Sequence, residues 1–342
     1  MQNKQIVFTA VNTAKLLSKD LPVCNADQVV VETAVSTLSS GTERANITGD
    51  PNVSGGGPSS VTFPRALGYS SAGTVVSVGS GVTDVAVGDR VVVFWGTHSR
   101  YNIVSERNVV KIPYDNISFE EAALAFIASF SMAAIRKTRL EMGESAVVMG
   151  LGLLGQFAVA LLRAAGAMPI VAVDPIIVRR EEALTNGADF VFDPFDVDFV
   201  DKVKAVTDGG ARIAVEVTGR GEGLEGTLDV MARFGRVALL GCTRDKNFTI
   251  DYYKKVHFPG ITLVGAHTLA RPESESAPGW FTHTDDIRSV LRLCHGNRLD
   301  LLSTVKETHA PEDCEMVYHR LIHEKNFPTV VQFDWRRLRE TD

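Results

Sequence analysis

The chain has little cysteine, few histidines, no long apolar run and no excess of basic charge. Its four cysteines in 342 residues, Cys24, Cys242, Cys294 and Cys314, stand far apart and form no Cys-x-x-Cys pair. That excludes a disulfide framework and suits a reducing, cytoplasmic setting, with all four thiols expected as buried apolar residues. A net charge of -6 gives no footing for nucleic acid. No apolar stretch reaches membrane-spanning length, and the start Met1-Gln-Asn-Lys-Gln5 lacks the charged and apolar regions of a signal peptide. The sequence contains no internal repeat or long low-complexity tract. What remains is an ordinary globular composition, 45% hydrophobic and 22% charged, long enough for two domains. The expected partner is a small molecule, with neither nucleic acid nor membrane.

Three textures follow one another. Residues 1–119 are rich in Val, Thr, Ser and Gly, with strand-like runs at Gln28–Val35, Gly73–Val78 and Arg90–Trp95 separated by Gly-containing turns. They read as a compact β domain, whose polar, Gly-rich loop Gly49–Thr62 is expected to be mobile. From 120 to 267, strand and helix signals alternate, which implies a parallel sheet covered by helices on both faces. Residues 268–342 contain a polar loop, helical patterns near Thr284–Cys294 and Glu312–His323, and a closing strand Val330–Phe333. The simplest arrangement has this last segment rejoin the first to complete one domain.

One motif has a specific chemistry. Val147-Val-Met-Gly150-Leu-Gly152-Leu-Leu-Gly155 joins a short apolar strand to the apolar helix Leu153–Ala165. After a second strand, Pro169–Val173, comes Asp174, 19 residues beyond Gly155. Gly150 permits a tight turn, Gly152 lets the backbone approach a pyrophosphate, and Gly155 lets the helix pack closely on the strand. The helix N-terminus then offers free N–H groups to the phosphates. Asp174 is placed to accept hydrogen bonds from both ribose hydroxyls and to repel a 2′-phosphate, which favours NAD over NADP. Arg179 and Arg180, close behind it, weigh toward the phosphate. The nucleotide-binding set expected from these spacings and from the later strand ends is Gly150, Leu151, Gly152, Leu153, Leu154, Gly155, Asp174, Arg179, Thr218, Gly241, Cys242, Gly265, Ala266 and His267.

Three blocks, Gly68-Tyr-Ser-Ser-Ala-Gly-Thr-Val-Val-Ser-Val-Gly79 with Val87-Gly-Asp-Arg-Val91, the glycine fingerprint, and Gly235-Arg-Val-Ala-Leu-Leu-Gly241, resemble the medium-chain dehydrogenase/reductase superfamily that includes the zinc alcohol dehydrogenases. The resemblance implies an α/β chain with a GroES-like β-rich catalytic domain, a Rossmann domain with a doubly wound parallel sheet, and an active site in the cleft separating them. It also suggests a homodimer or homotetramer.

The departures from that family concern the metal. Where zinc-dependent members have a Cys-Gly-Thr-Asp-like motif, this chain has Ser40-Gly41-Thr42-Glu43. Gly68-Tyr69-Ser70 replaces their Gly-His-Glu, Ala125 and Phe126 fall in the later ligand region, and the four-cysteine lobe has no counterpart. The first 149 residues contain one cysteine, Cys24, and one histidine, His98, too few for a His/Cys zinc pocket. No zinc is expected. Side chains must then stabilise the developing oxyanion and exchange the proton. Tyr69 is the candidate donor, acting as general acid if its pKa is depressed. Thr42 occupies the place of the family's relay hydroxyl and Ser40 that of a metal-binding thiolate. His267, at the end of the last Rossmann strand, is a candidate proton shuttle. Glu43, Ser70, Trp95 and His98 are candidate substrate contacts. The leading reading is a zinc-independent, NAD(H)-dependent oxidoreductase that interconverts a secondary alcohol, with a polyol or sugar in view, and a ketone. The alternatives are an NADPH-dependent quinone or enone reductase and a catalytically silent NAD-binding protein.

Overall fold

The computed structural model describes residues 2–50, 61–243 and 247–339. Most of the loop Gly49–Thr62 therefore lies outside the described residues. The chain divides into two compact units, one running to Ile127 and resuming at Ile287, the other spanning Ala128–Asp286. These boundaries fall later than the expected 119/120 and 267/268. The chain leaves and re-enters the first unit within two helices, Ala125–Thr138 and His283–His295. No linker or change of composition marks such a crossing.

The first unit is built on a seven-stranded sheet. Its order is Glu307–His309, Val331–Asp334, Gln28–Thr37, Ser70–Val78, Arg90–Phe94 and Val109–Lys111, with Tyr101–Ser105 also pairing Gln28–Thr37. The run Gln28–Thr37 is buried on both faces because valine and small residues occupy both, so it can serve as the central strand. Val29, Val31, Val75, Val91, Val93, Val104 and Val109 form one core. A second core joins Ile6, Phe8, Leu38 and Ile47 to Tyr318, Phe327, Phe333 and Trp335. The segment after 287 is thus part of this unit, its last strand pairing antiparallel as Phe333 with Ser36 and Gln332 with Thr37. An amino-terminal hairpin, Gln2–Ala10 with Thr13–Asp20, adds to the expected strands. Its turn uses a left-handed Asn12 (φ 58°) in place of the glycine that a sequence reading looks for.

The second unit contains six parallel strands in the order Phe190–Phe192, Ile170–Val173, Ala146–Met149, Ala211–Glu216, Met231–Leu239 and Thr262–Gly265. Numbered along the chain this is 3-2-1-4-5-6, the doubly wound order that opens a crevice where the winding reverses, beside the carboxyl ends of Ala146–Met149 and Ala211–Glu216. The helix Leu153–Ala165 stops at Gly166, whose left-handed φ of 84° closes its end.

A buried ionic cluster fastens the chain after the last strand. Asp286, with no exposed surface, accepts from Arg136 Nε at 2.8 Å and Arg271 at 3.2 Å. Arg271 also donates to the carbonyls of Thr268 (3.1 Å) and Ser129 (3.3 Å). Burial pushes the Asp286 carboxyl up, while the two guanidiniums pull it down. Removing one member of such a cluster costs about 3–5 kcal/mol, because the charge left behind stays buried. Among the described residues no helix is long and apolar enough to cross a membrane.

Candidate functional site

Each unit carries part of the expected chemistry. On the second, the strand Ala146–Met149 ends in Gly150, which has φ +95° and could not bear a side chain without crowding Thr218 at the switch point (Cβ to Thr218 Cγ2, 3.0 Å). A Cβ on Gly155 would lie 1.9 Å from the Gly150 carbonyl oxygen, so this position requires glycine for the helix to start against the turn. Gly152 caps that helix without a side-chain hydrogen bond, and the space beside it is open. Leu153, Leu154 and Gly155 therefore form a first turn with uncapped N–H groups, the feature an anionic pyrophosphate needs.

Asp174 is 4% exposed and first holds the turn itself. One carboxylate oxygen accepts the Leu151 N–H at 2.8 Å, the other the Ile176 N–H at 2.8 Å. Each oxygen keeps a further lone pair for a ribose hydroxyl. Arg179 pairs with this carboxylate at 3.6 Å. Arg180 is engaged elsewhere, by the Asp174 carbonyl (2.6 Å) and by Asp193 (2.9 Å). Gln156, buried, ties the turn to the next helix by donating to the carbonyls of Leu151 and Arg179.

Past the fourth and fifth strands, a cavity of about 520 Å³ is lined by Thr218, Gly219, Arg220, Gly221, Cys242 and Phe248 among others. Two residues expected at the nucleotide, Thr218 and Cys242, are thus brought together. Gly241 packs so closely that a Cβ there would lie 2.4 Å from the Gly219 nitrogen. Buried Glu216 orders this edge by accepting from the N–H groups of Thr218 and Gly219, with its pKa raised mainly by burial. Cys242 corrects the expectation that all four cysteines are buried: it is exposed, because it follows the strand end at the cavity, and Cys24 is half-buried. Gly265 and Ala266 end the sheet, and His267 follows in an exposed turn where its Nδ1 accepts the Leu269 N–H at 3.2 Å. Nearby Lys137 is held by the Gly265 and Ala270 carbonyls, its pKa lowered to about 8 by burial and by Arg271.

On the first unit, the Tyr69 hydroxyl lies 2.5 Å from Ser39 Oγ. Burial pushes the Tyr69 phenol up to about 12; its bonds to Ser39 and Thr42 pull it down, and the negative Glu43 adds to the rise. The depressed pKa on which the sequence reading made general-acid action by Tyr69 conditional is therefore not met. The physical reason is an aromatic enclosure: Trp95 and Phe126 stand 5.6 and 5.7 Å from the Tyr69 ring and 5.1 Å from each other. Trp95 has φ +60° and remains 38% exposed, so one face of this enclosure is open.

The hydroxyl against Tyr69 belongs to Ser39, which sequence reasoning missed, and not to Ser40. Ser40 begins the helix Ser40–Ile47, and the strand-to-helix junction decides which member of the Ser39-Ser40 pair faces Tyr69. Three expected substrate contacts are corrected by burial. Ser70 has no exposed surface and donates to the Ala123 carbonyl at 2.7 Å. Glu43 has none either; its carboxylate accepts the Ser39 N–H (2.8 Å) and the Tyr318 hydroxyl, and lies 3.2 Å from His98 Nε2. His98, 1% exposed, is closed on its other side by Ser36 Oγ at 2.7 Å.

The side chains in the places of the family's zinc ligands do not fit a zinc ion. Ser40 and Tyr69 are neutral hydroxyls, Tyr69 strongly so given its raised pKa, and Ser70 is engaged by a carbonyl. Ala125 and Phe126 have no donor atom. Zinc sites draw on thiolates, imidazoles and carboxylates. Among the described residues no group of three or more His, Cys, Asp or Glu is arranged to hold a metal ion.

Comparison with known proteins agrees with both units. Residues 25–114 match the family described as alcohol dehydrogenase GroES-like domain, and residues 154–281 match that described as zinc-binding dehydrogenase. The chain is 29% identical over 227 residues to D-guloside 3-dehydrogenase of Escherichia coli, a match covering 65% of this chain and 64% of that protein. L-threonine 3-dehydrogenase of Pyrococcus horikoshii is 31% identical over 232 residues, 59% of this chain and 66% of the relative. The matches thus span about two-thirds of the length of these relatives. Galactitol-1-phosphate dehydrogenase from Escherichia coli shares the fold over 97% of this chain and 99% of its own, with a TM-score of 0.84 at 19% identity. The chain belongs to the medium-chain dehydrogenase/reductase superfamily, alongside the zinc alcohol dehydrogenases.

Proposed function

We propose that this chain is a zinc-independent, NAD(H)-dependent oxidoreductase that interconverts a secondary alcohol and a ketone. The observation that carries the proposal is the half-buried Tyr69 hydroxyl, bonded to Ser39 and set in an aromatic enclosure with Trp95 and Phe126, on a residue that takes the sequence place of a zinc ligand in the superfamily's zinc enzymes. The relatives named above are dehydrogenases of hydroxyl-bearing compounds, which supports the same class of chemistry.

A nicotinamide dinucleotide, when bound, supplies or accepts the hydride. The glycine turn and the uncapped first turn of Leu153–Ala165 would hold its pyrophosphate, and Asp174 its ribose. The work of this chain's own residues is to receive a carbonyl oxygen and manage one proton. Tyr69, protonated throughout the neutral range, donates a hydrogen bond to that oxygen and polarises the carbonyl. When the oxygen becomes an alkoxide, far more basic than a phenolate, transfer of the Tyr69 proton is downhill. Ser39 and Thr42 stabilise the phenolate that results. Trp95 and Phe126 offer apolar faces to a ring or to the C–H face of a sugar. A homodimer or homotetramer paired along the exposed edge strand Thr262–Gly265 completes the proposal.

Cofactor choice rests on Asp174. Its charge remains beside the ribose position, and Arg180 is held by Asp193, which leaves only Arg179 to offset it. Parallel fluorescence titrations should therefore give NADH at least about tenfold tighter than NADPH, a difference of about 1.4 kcal/mol. Tighter NADPH would overturn the assignment and put the enone or quinone reductase first. Tight NADH binding without turnover on any alcohol, sugar or ketone would favour the silent protein. Metal analysis of active protein purified without chelator should find zinc well below one per chain, and stoichiometric zinc would end the metal-free mechanism.

A further inference from the structure

We propose that Glu43 and His98 are positioning residues, a buried pair that fixes both members of the Ser39–Tyr69 hydroxyl couple from opposite sides. The inference rests on the function proposed above. Neither residue is accessible to substrate, yet each touches the backbone that presents one of the two hydroxyls.

The Ser39 side begins at a helix cap. Ser39 is the N-cap of Ser40–Ile47, a position where serine ordinarily turns its hydroxyl onto the free N–H groups of the first turn. Here it makes no such bond. Instead the Glu43 carboxylate, one position beyond that of a capping box, reaches back to the Ser39 N–H at 2.8 Å. The cap residue is thus secured by its backbone, and its hydroxyl is released to Tyr69. A helix built only for stability would have used that hydroxyl on itself.

On the Tyr69 side, the contact is through Gly68. This glycine has φ +110°, and a Cβ there would lie 2.3 Å from both the backbone nitrogen and Cγ of His98. The His98 N–H donates to the Leu67 carbonyl at 2.7 Å, and the Trp95 N–H to the Tyr69 carbonyl at 2.9 Å. His98 therefore packs against the turn that carries Tyr69, while its ring spans from Ser36 Oγ to the Glu43 carboxylate. Trp335 Nε1 donates to the same Ser36 Oγ at 2.8 Å, and Tyr318 closes the far side of Glu43. Ser36, Glu43, His98, Tyr318 and Trp335 come from three separate stretches of chain. A fully buried charged group of this kind contributes little net stability over an apolar replacement. What it provides here is geometry.

The test is a double-mutant cycle on the intact protein. Glu43→Gln keeps the shape of the side chain but loses the charge and one acceptor. It should lower kcat for ketone reduction about 10²-fold, the scale of an ångström of misplacement, with KM changed less than about threefold and NADH affinity unaltered. His98→Asn, which keeps a hydrogen-bonding group toward Ser36 but is too short to reach Glu43, should show the same split and covers the case in which Glu43→Gln does not fold. The decisive reading is the background: in Tyr69→Phe, adding either substitution should cost nothing more, because positioning acts only through the phenol. Losses that multiply in the Tyr69→Phe background, or wild-type kcat in both single variants, would overturn the proposal. Wild-type turnover in Tyr69→Phe alone is a separate result, which removes the functional reading on which the proposal stands.

Discussion

Tyr69→Phe is expected to lower turnover by about 10²–10⁴, the range of a lost general acid, while leaving NADH binding within about twofold. The phenol is the acidic group with suitable geometry. It lies 2.5 Å from Ser39 Oγ, inside an aromatic enclosure that keeps one face open. Loss of the hydroxyl leaves the ring, so the contacts with Trp95 and Phe126 persist and the fold should stand. The substitution removes an interaction that strengthens as charge develops on oxygen. The loss should therefore appear in kcat and kcat/KM alike, with little change in KM. Wild-type steady-state kinetics in a folded variant, checked by its unfolding transition, would discard Tyr69 as the donor. Ser40→Ala makes the contrasting control. Ser39 rather than Ser40 meets Tyr69, so the Ser40 variant should retain most activity.

Periodicity and glycine chemistry make the second unit legible in the sequence itself. Apolar runs too short for helices, such as Ile170–Val173, alternate with a longer apolar, Ala-rich stretch that ends at Gly166, and a parallel sheet accommodates that pattern. The glycine fingerprint is readable for a harder reason: a Cβ at Gly155 would strike the Gly150 carbonyl. Asp174 reads as a ribose ligand from its spacing, but its tie to the Leu151 N–H depends on how the turn folds back, which spacing does not encode.

The first unit is legible in its strands and much less so in its site. Glu43, Ser70 and His98 are polar residues in a motif region, and polarity suggests contact with substrate. Their burial follows from partners far away in sequence, Tyr318 and Ala123 among them. Ser39 is hidden because adjacent serines are equivalent until the last strand residue and the first helix residue are known. The sign of the Tyr69 shift is hidden as well. A tyrosine replacing a metal ligand invites a lowered pKa, yet the neighbours that decide it are aromatic rings and an acid.

That upward shift sets the second large effect, a pH dependence that differs by direction. With a phenol pKa of about 12, roughly one Tyr69 in 10⁵ is ionised at pH 7, and ketone reduction, which needs the protonated form, should be flat from about pH 6 to 10. Alcohol oxidation needs the phenolate to take the substrate proton. Its turnover should rise about tenfold per pH unit, roughly 10³-fold from pH 7 to 10, without a plateau in that window. The groups bearing on this titration are the Ser39 and Thr42 hydroxyls, which favour the phenolate, and the Glu43 carboxylate, which opposes it. A zinc-bound alcohol would behave otherwise, since the metal lowers the oxygen's pKa toward neutrality and the profile levels off early. Stopped-flow measurement of the hydride step in both directions, with saturating nucleotide, separates the cases. A plateau in oxidation at about pH 8 would mean that the phenol ionises far below its buried value. An unchanged slope in Tyr69→Phe would assign the proton to another group, with exposed His267 the first to be replaced. A slope that disappears with the Tyr69 hydroxyl would identify the phenol as the group that takes over the proton chemistry served by the metal in zinc enzymes.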